Sequence, residues 1–152
     1  MVHHGSDPYW QGVELRKQIL RLPLGLDFSE EDLESEQGQI HIVAKDHDAV
    51  IGTLLLTEVD GVTLKMRQVA VSATHHSQGV GKSLVQAAEK FGRDHGYAKI
   101  TLHARVSVVG FYEKLGYVPV GAEFIEVSIP HQAMQKCLHG RGSENVLKNC
   151  AN

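Results

Sequence analysis

Cysteine and long apolar runs are scarce in this chain, and so is any excess of one charge. Cys137 and Cys150 are the only cysteines in 152 residues. They have neither the number nor the spacing of a disulfide framework or a zinc site, so both are expected as free thiols in a reducing compartment. No apolar run approaches the roughly 20 residues of a membrane-spanning helix, and the first residues lack the charged and apolar regions of a signal peptide. A cytoplasmic protein without a membrane partner is therefore expected. Fifteen Lys and Arg stand against 18 Asp and Glu, a formal charge of −3, which leaves no basic footprint for nucleic acid. What is present is 42% hydrophobic residues, enough to build a core and to exclude disorder along the whole length. One domain over residues 1–138 is the expectation at this size. From His139 to Asn152 the composition turns polar and Gly-containing, which predicts a flexible tail.

Patterning along the chain predicts a mixed α/β protein. Asp7-Pro8 opens a helix over about 8–21, whose apolar stripes (Tyr9, Val13, Leu20 and Leu15, Ile19, Leu22) face two packed surfaces. Residues 27–36 gather Asp27, Glu30, Glu31, Asp32, Glu34 and Glu36 without one Lys or Arg. This reads as a short solvated helix started by Ser29, with an acidic binding surface as the alternative. Ile40, Ile42 and Ala44 alternate as a strand, Val50 to Leu56 form a second, and Asp60-Gly61 turns into a third. In that third strand Val62, Leu64 and Met66 share one phase while Val69 and Val71 take the other. Such a slip predicts a β-bulge near Arg67 and Gln68, or else a strand that ends early or is buried on both faces.

Helical spacing returns at Val80, Leu84, Ala87, Ala88 and Phe91 and stops at Gly96, before a strand at Ile100, Leu102 and Ala104. Strand, helix, strand at this spacing implies a right-handed parallel crossover. Ser107 is expected to cap a short helix closed by Gly116. Strands near 117–127 and 133–138 follow, with a break at Pro130.

The segment with most chemical content is His76-Ser77-Gln78-Gly79-Val80-Gly81-Lys82-Ser83, between a strand and a helix start. Glycines let backbone N–H groups approach a phosphate, and the helix N-terminus adds partial positive charge. A nucleotide-triphosphate loop would need Gly at His76, and a dinucleotide fingerprint would need Gly or Ala at Leu84, so both fail. A plain strand-to-helix turn would also use such glycines. The neighbouring His75-His76 pair has no third ligand at useful spacing, so no metal is expected.

Taken with the slipped strand Arg67 to Val71 and with Phe111-Tyr112-Glu113-Lys114-Leu115-Gly116-Tyr117, the loop resembles that of the GNAT superfamily of acetyl-coenzyme A dependent N-acetyltransferases. The resemblance covers about residues 7–138. It implies a mixed, mostly antiparallel sheet with a central pair of parallel splayed strands and helices on both faces. It also implies a cofactor site made by Val69, Ala70 and Val71 of the strand, by His76, Ser77, Gln78, Gly79, Val80, Gly81, Lys82 and Ser83 of the loop, and by Ser107 and Tyr112. His76 stands where the family usually has Gln or Arg, which leaves backbone amides and Lys82 to hold a pyrophosphate. Ala104 to Tyr112 and Ile129-Pro130-His131-Gln132-Ala133-Met134 are similar to the small-molecule branch that contains glyphosate N-acetyltransferase. That likeness implies His131 as general base and Arg21, Arg67 and Arg105 as anchors for an anionic substrate.

The chemistry matches those residue types. Amide formation from a thioester needs an uncharged amine, and an imidazole, with a reference pKa of about 6.5, is the ordinary side chain able to take the proton near neutrality. A tyrosine hydroxyl such as that of Tyr112 can donate to the departing sulfur, and a main-chain N–H at Val69 to Val71 can meet the charge on the thioester oxygen. Guanidinium groups bind carboxylates or phosphonates bidentately, unless Arg67 and Arg105 are spent on local acids such as Glu58 or Glu126. His103 and Glu126 are secondary acid/base or orienting candidates. The expected activity is acetyl transfer from acetyl-coenzyme A to the amine of a small anionic metabolite in a ternary complex. The alternatives are acetylation of a protein lysine or N-terminus, and an acyl-coenzyme A binding module without catalysis. A homodimer is the default oligomer.

Overall fold

The computed structural model of the protein describes residues 1–21, 23, 28–75 and 78–138, the side chains of Glu30 and Glu31 excepted. The expected tail 139–152, and with it Cys150, lies outside the described residues. Helices α1 (Asp7–Arg16), α2 (Glu30–Glu34), α3 (Val80–Asp94) and α4 (Val109–Lys114) accompany strands β1 (Ile40–Asp46), β2 (Ala49–Asp60), β3 (Thr63–Val71), β4 (Lys99–Arg105), β5 (Val118–Glu126) and β6 (Ile129–Cys137). The strands form a six-stranded mixed sheet in the order β1-β2-β3-β4-β6-β5, with β3 and β4 as its parallel pair. This is the α/β architecture the sequence predicts. Among the described residues no helix is long and apolar enough to cross a membrane. Cys137 is disulfide-bonded rather than the free thiol expected.

The chain divides into two compact units, Met1–Thr57 with Arg67–Ala88, and Glu58–Met66 with Glu89–Asn152. In the first, α1 begins one residue earlier than predicted because Ser6, not Asp7, is its cap, accepting from the Tyr9 N–H at 3.4 Å. The helix widens into a π-helical stretch at Lys17–Arg21. Ser29 does start α2: its hydroxyl accepts the Asp32 N–H at 3.1 Å, and its own N–H bonds back to the Asp32 carboxylate. Those bonds hold the Asp32 carboxyl below its usual range. Glu36 departs from the solvated reading, since it is only 5% exposed and accepts from both terminal guanidinium nitrogens of Arg16, itself 1% exposed, at 2.9 and 3.1 Å.

The first half of α3 closes on β2 at Gly52, where an added Cβ would stand 2.8 Å from Leu84 Cδ1 and 2.9 Å from Val80 Cγ1. Gly52→Ala is expected to cost about 1–3 kcal/mol by overpacking, read from the midpoint of urea denaturation.

In the second unit, β3 and β4 pair from Thr63↔Lys99 to Met66↔Leu102, and the ladder stops there. The last turn of α3 ends as predicted at Gly96, whose φ of +81° suits glycine. Its backbone bonds (Gly96 N–H to Arg93 O, Tyr97 N–H to Gly92 O) close the helix. Three residues join on a buried carboxylate: Glu89 accepts from the Tyr117 hydroxyl and from Lys136 Nζ, each at 3.0 Å, which fastens α3 to β6 and to the exit of α4. Two expectations fail here. Ser107 lies inside a 3₁₀ turn (Val106–Val108), and neither that turn nor α4 has a side-chain cap. Pro130 does not break the chain; it is the second residue of β6, and the hairpin turn is Val127-Ser128, both at positive φ. Proline is tolerated there because the start of a strand has a ladder bond to spare.

Candidate active site

In the first unit the glycine segment leads into α3. Gly79 holds φ of +77° with open space where a side chain would be, and α3 then begins with no acidic residue in its first turn. The N–H groups ahead of Ser83, which itself donates to the Gly79 carbonyl at 3.0 Å, have no partner within the helix, and the side chains of Lys82 and Ser83 are exposed beside them. The arrangement suits an anion with several oxygens. His76 and Ser77 lie outside the described residues. Ahead of the loop, His75 is tied by Nε2 to Asp46 Oδ2 at 3.4 Å and by Nδ1 to the Thr74 hydroxyl at 3.0 Å, which gives it a structural partner in β1. Among the described residues no cluster of three or more His, Cys, Asp or Glu could hold a metal ion.

On β3, Gln68 sits at φ +56°, interrupting the extended backbone where the phase slip predicts a bulge. Beyond it Ala70 is buried, while Val69 and Val71 are partly exposed. Arg67 precedes the irregularity and is half-buried, without a hydrogen bond or ion pair among the described residues. Arg21, at the end of the π-helical stretch, lays its guanidinium 4.7 Å from the centroid of the Phe28 ring, which Arg16 also approaches at 4.8 Å.

The second unit holds the remaining predicted groups. The antiparallel ladder sets Arg105 of β4 directly opposite His131 of β6, and His131 directly opposite Phe124 of β5. Residues so opposed have Cβ atoms about 4.5–5.5 Å apart on one face of the sheet. His131 is 7% exposed. Its Nδ1 is 2.8 Å from the Ile129 carbonyl, which can only accept, so a neutral ring carries its hydrogen on Nδ1 and keeps the lone pair on Nε2. Nε2 faces Oε2 of Glu126 at 3.7 Å, and the other oxygen of that carboxylate lies 3.3 Å from Nδ1 of His103. Phe124 stacks on His131 with planes 24° apart and meets His103 edge-on. Glu58, the other local acid weighed as an arginine partner, instead accepts from the Tyr97 hydroxyl at 3.1 Å.

Tyr112 is buried on α4, its ring edge-on to those of Phe111 and Tyr117. Burial pushes its hydroxyl up to about 12, and no hydrogen bond to that oxygen occurs among the described residues. Ser107 is exposed.

Thus the structure brings His131, Arg105, Glu126 and His103 together, whereas Arg21 and Arg67 belong to the other unit. Two contributors were not singled out from sequence: Phe124 and the Ile129 carbonyl. The strand period could have found the first, since Phe124 and Glu126 share a face two residues apart. The second depends on a local backbone turn.

Comparison with known proteins agrees with this architecture. Residues 25–138 match the family model described as the acetyltransferase (GNAT) domain. A Bacillus subtilis protein assigned as an acetyltransferase is 32% identical over 126 residues, 81% of this chain and 85% of its own. The crystal structure of a Lactobacillus plantarum protein assigned as an N-acetyltransferase superposes with a TM-score of 0.81 at 22% identity, over 90% of this chain and 95% of that one. An aminoglycoside 6'-N-acetyltransferase complexed with coenzyme A gives 0.73 at 21% identity, over 88% of this chain and 92% of that one. The family match spans the glycine segment, the parallel strand pair and the His131 strand alike, and the chain belongs to the GNAT acetyltransferases.

Proposed function

We propose that this acetyltransferase moves acetyl from acetyl-coenzyme A to the primary or secondary amine of a small anionic metabolite, an amino acid or its analogue, by direct attack in a ternary complex, with residues 1–138 acting as one domain. The observation that carries the reading is the register of β4 and β6: a guanidinium, Arg105, opposite an imidazole, His131, whose Nε2 retains its lone pair. A base and an anion anchor one strand apart match an acceptor whose amine and acid are a few bonds apart. The coenzyme A complex of the aminoglycoside enzyme, together with the open acid-free start of α3, supports coenzyme A as the carrier.

In this mechanism backbone N–H groups from Gln78 to Lys82, with the side chains of Lys82 and Ser83, hold the pyrophosphate, while Val69 to Val71 line the acyl chain and offer a main-chain donor to the thioester oxygen. Arg21, Arg67 and Arg105 hold the acceptor's acid groups, and His131 takes the proton from the attacking nitrogen. The likeness of the segments around Arg105 and His131 to the branch containing glyphosate N-acetyltransferase supports the same assignment. Coenzyme A release at pH 7.5 with amino acids, aminophosphonates, polyamines and lysine peptides tests it. Stimulation confined to anionic amines is the expected result, and stimulation by lysine peptides alone would overturn it.

Tyr112 donates a hydrogen bond to the sulfur as the C–S bond breaks. With its hydroxyl near 12, full transfer to a thiolate of about the ordinary thiol value, 8.5, would run uphill, so the role is hydrogen bonding. Tyr112→Phe is accordingly expected to lower kcat by about 10-fold, equally across pH 6 to 9, in steady-state assays. Full retention of kcat would remove Tyr112 from the mechanism.

A further inference from the structure

We infer that Glu126 binds the acceptor's ammonium group beside Nε2 of His131, so that the amine is captured in its charged form and loses its proton in place. The inference rests on the proposed N-acetyl transfer with His131 as base, and adds the group that recognises the amine. His131 has already spent its Nδ1 hydrogen on the Ile129 carbonyl. In the neutral ring, Nε2 and the Oε2 of Glu126 are two acceptors facing each other 3.7 Å apart, beyond hydrogen-bond length and with no hydrogen between them. A group that donates to both relieves that opposition. An ammonium carries three N–H donors and the matching charge, whereas a neutral amine brings fewer donors and no charge.

The rest of the cluster fits this role. The second oxygen of Glu126 is held by His103 Nδ1 at 3.3 Å, which sets the plane of the carboxylate. The Glu126 side chain keeps 43% exposure, and its two oxygens lie 3.3 Å from His103 and 3.7 Å from His131. Charged or titratable side chains beside His131 are Glu126 from β5 and Arg105 from β4, and His103 from β4 shares Glu126 and Phe124 with it. Arg105, on the far side of His131 from Phe124, is placed for the acceptor's acid group. A zwitterionic acceptor then meets a complementary charge at each end. The reaction balances: the N–C bond forms as the C–S bond breaks, and the ammonium of a primary amine loses two protons. One ends on the departing thiol and one leaves through His131 to solvent.

The test is Glu126→Gln in the full chain, assayed from pH 6.5 to 9.5 with acetyl-coenzyme A and the best amino acid acceptor of the panel. The expected result is a kcat/KM for the amino acid lowered by about 10–100-fold at pH 7, carried by KM, with KM for acetyl-coenzyme A unchanged. That deficit should close as pH rises and the acceptor becomes a neutral amine. Glu126→Asp should recover part of the loss. A loss of the same size at every pH marks a merely structural residue and overturns the inference, as does an unchanged kcat/KM. A parent protein inert toward every amine of the panel overturns the proposed function itself, and the inference with it.

Discussion

His131→Asn is expected to lower kcat by about 10²–10⁴-fold, the range for loss of a positioned general base. Asparagine is the informative replacement because its amide can still donate to the Ile129 carbonyl, the bond that fixes the ring, and it leaves less empty space against Phe124 than alanine would. The variant has lost the imidazole that takes the amine's proton in this mechanism, so it depends on the fraction of acceptor already deprotonated in solution. Its log kcat/KM should therefore rise with unit slope in pH up to the acceptor's own pKa, and the deficit relative to the parent should shrink along that rise. Acceptor KM, set by Arg105 and the other anchors, is expected to change little. A pH–rate profile of His131→Asn parallel to that of the parent would remove His131 from the mechanism, and stopped-assay coenzyme A release measures it directly.

Glu36→Ala is expected to destabilise the protein by about 3–5 kcal/mol, the cost of stranding a buried partner charge. Arg16 is 1% exposed, and its two terminal nitrogens bond the two Glu36 oxygens at 3.1 and 2.9 Å. Tyr9 donates a further bond to the same carboxylate at 3.0 Å, which together with burial pushes the Tyr9 hydroxyl far up. Removing the carboxylate leaves the guanidinium, whose Nε already lacks a partner, and the phenol without acceptors. At this chain length the loss corresponds to a Tm lower by about 10 °C. Combining Glu36→Leu with Arg16→Met should return much of the stability, because the pair's desolvation penalty goes with it. Urea denaturation with an unchanged m value checks both variants, and a Glu36→Ala midpoint equal to the parent's would show the pair to be unimportant.

The same cluster predicts an acid-side weakness. His41 donates from Nε2 to the Glu36 carbonyl at 3.0 Å, and burial lowers its pKa. Above about pH 6.5 the ring is neutral both folded and unfolded, and its titration contributes nothing. As pH falls below that value the unfolded chain takes up the proton first, so stability declines toward the lower folded pKa. His41→Gln should flatten that part of the stability profile in denaturation series from pH 7 to 5.

The elements written in the sequence are those with a period. Helix α3 follows from five apolar residues at helical spacing with Gly96 behind them, and β4 from strict alternation at Ile100, Leu102 and Ala104. The glycine segment and the phase slip at Gln68 were likewise legible, because each is a local departure from a period. The start of β6 was not. The Val127-Ser128 turn holds two non-glycine residues at positive φ, a conformation that composition gives no reason to expect.

The sequence by itself determined the family, the order of elements and the residue types that acetyl transfer calls for, since these lie in contiguous motifs. Tertiary structure alone decided which side chains meet. Glu36 reads as one more solvated acid until Arg16, 20 positions earlier, arrives from α1. Arg105, His131 and Glu126 become neighbours only through the register of β4, β6 and β5. That register is set by hydrogen bonds between segments far apart in the chain and by the burial of one sheet face, so no local period announces it.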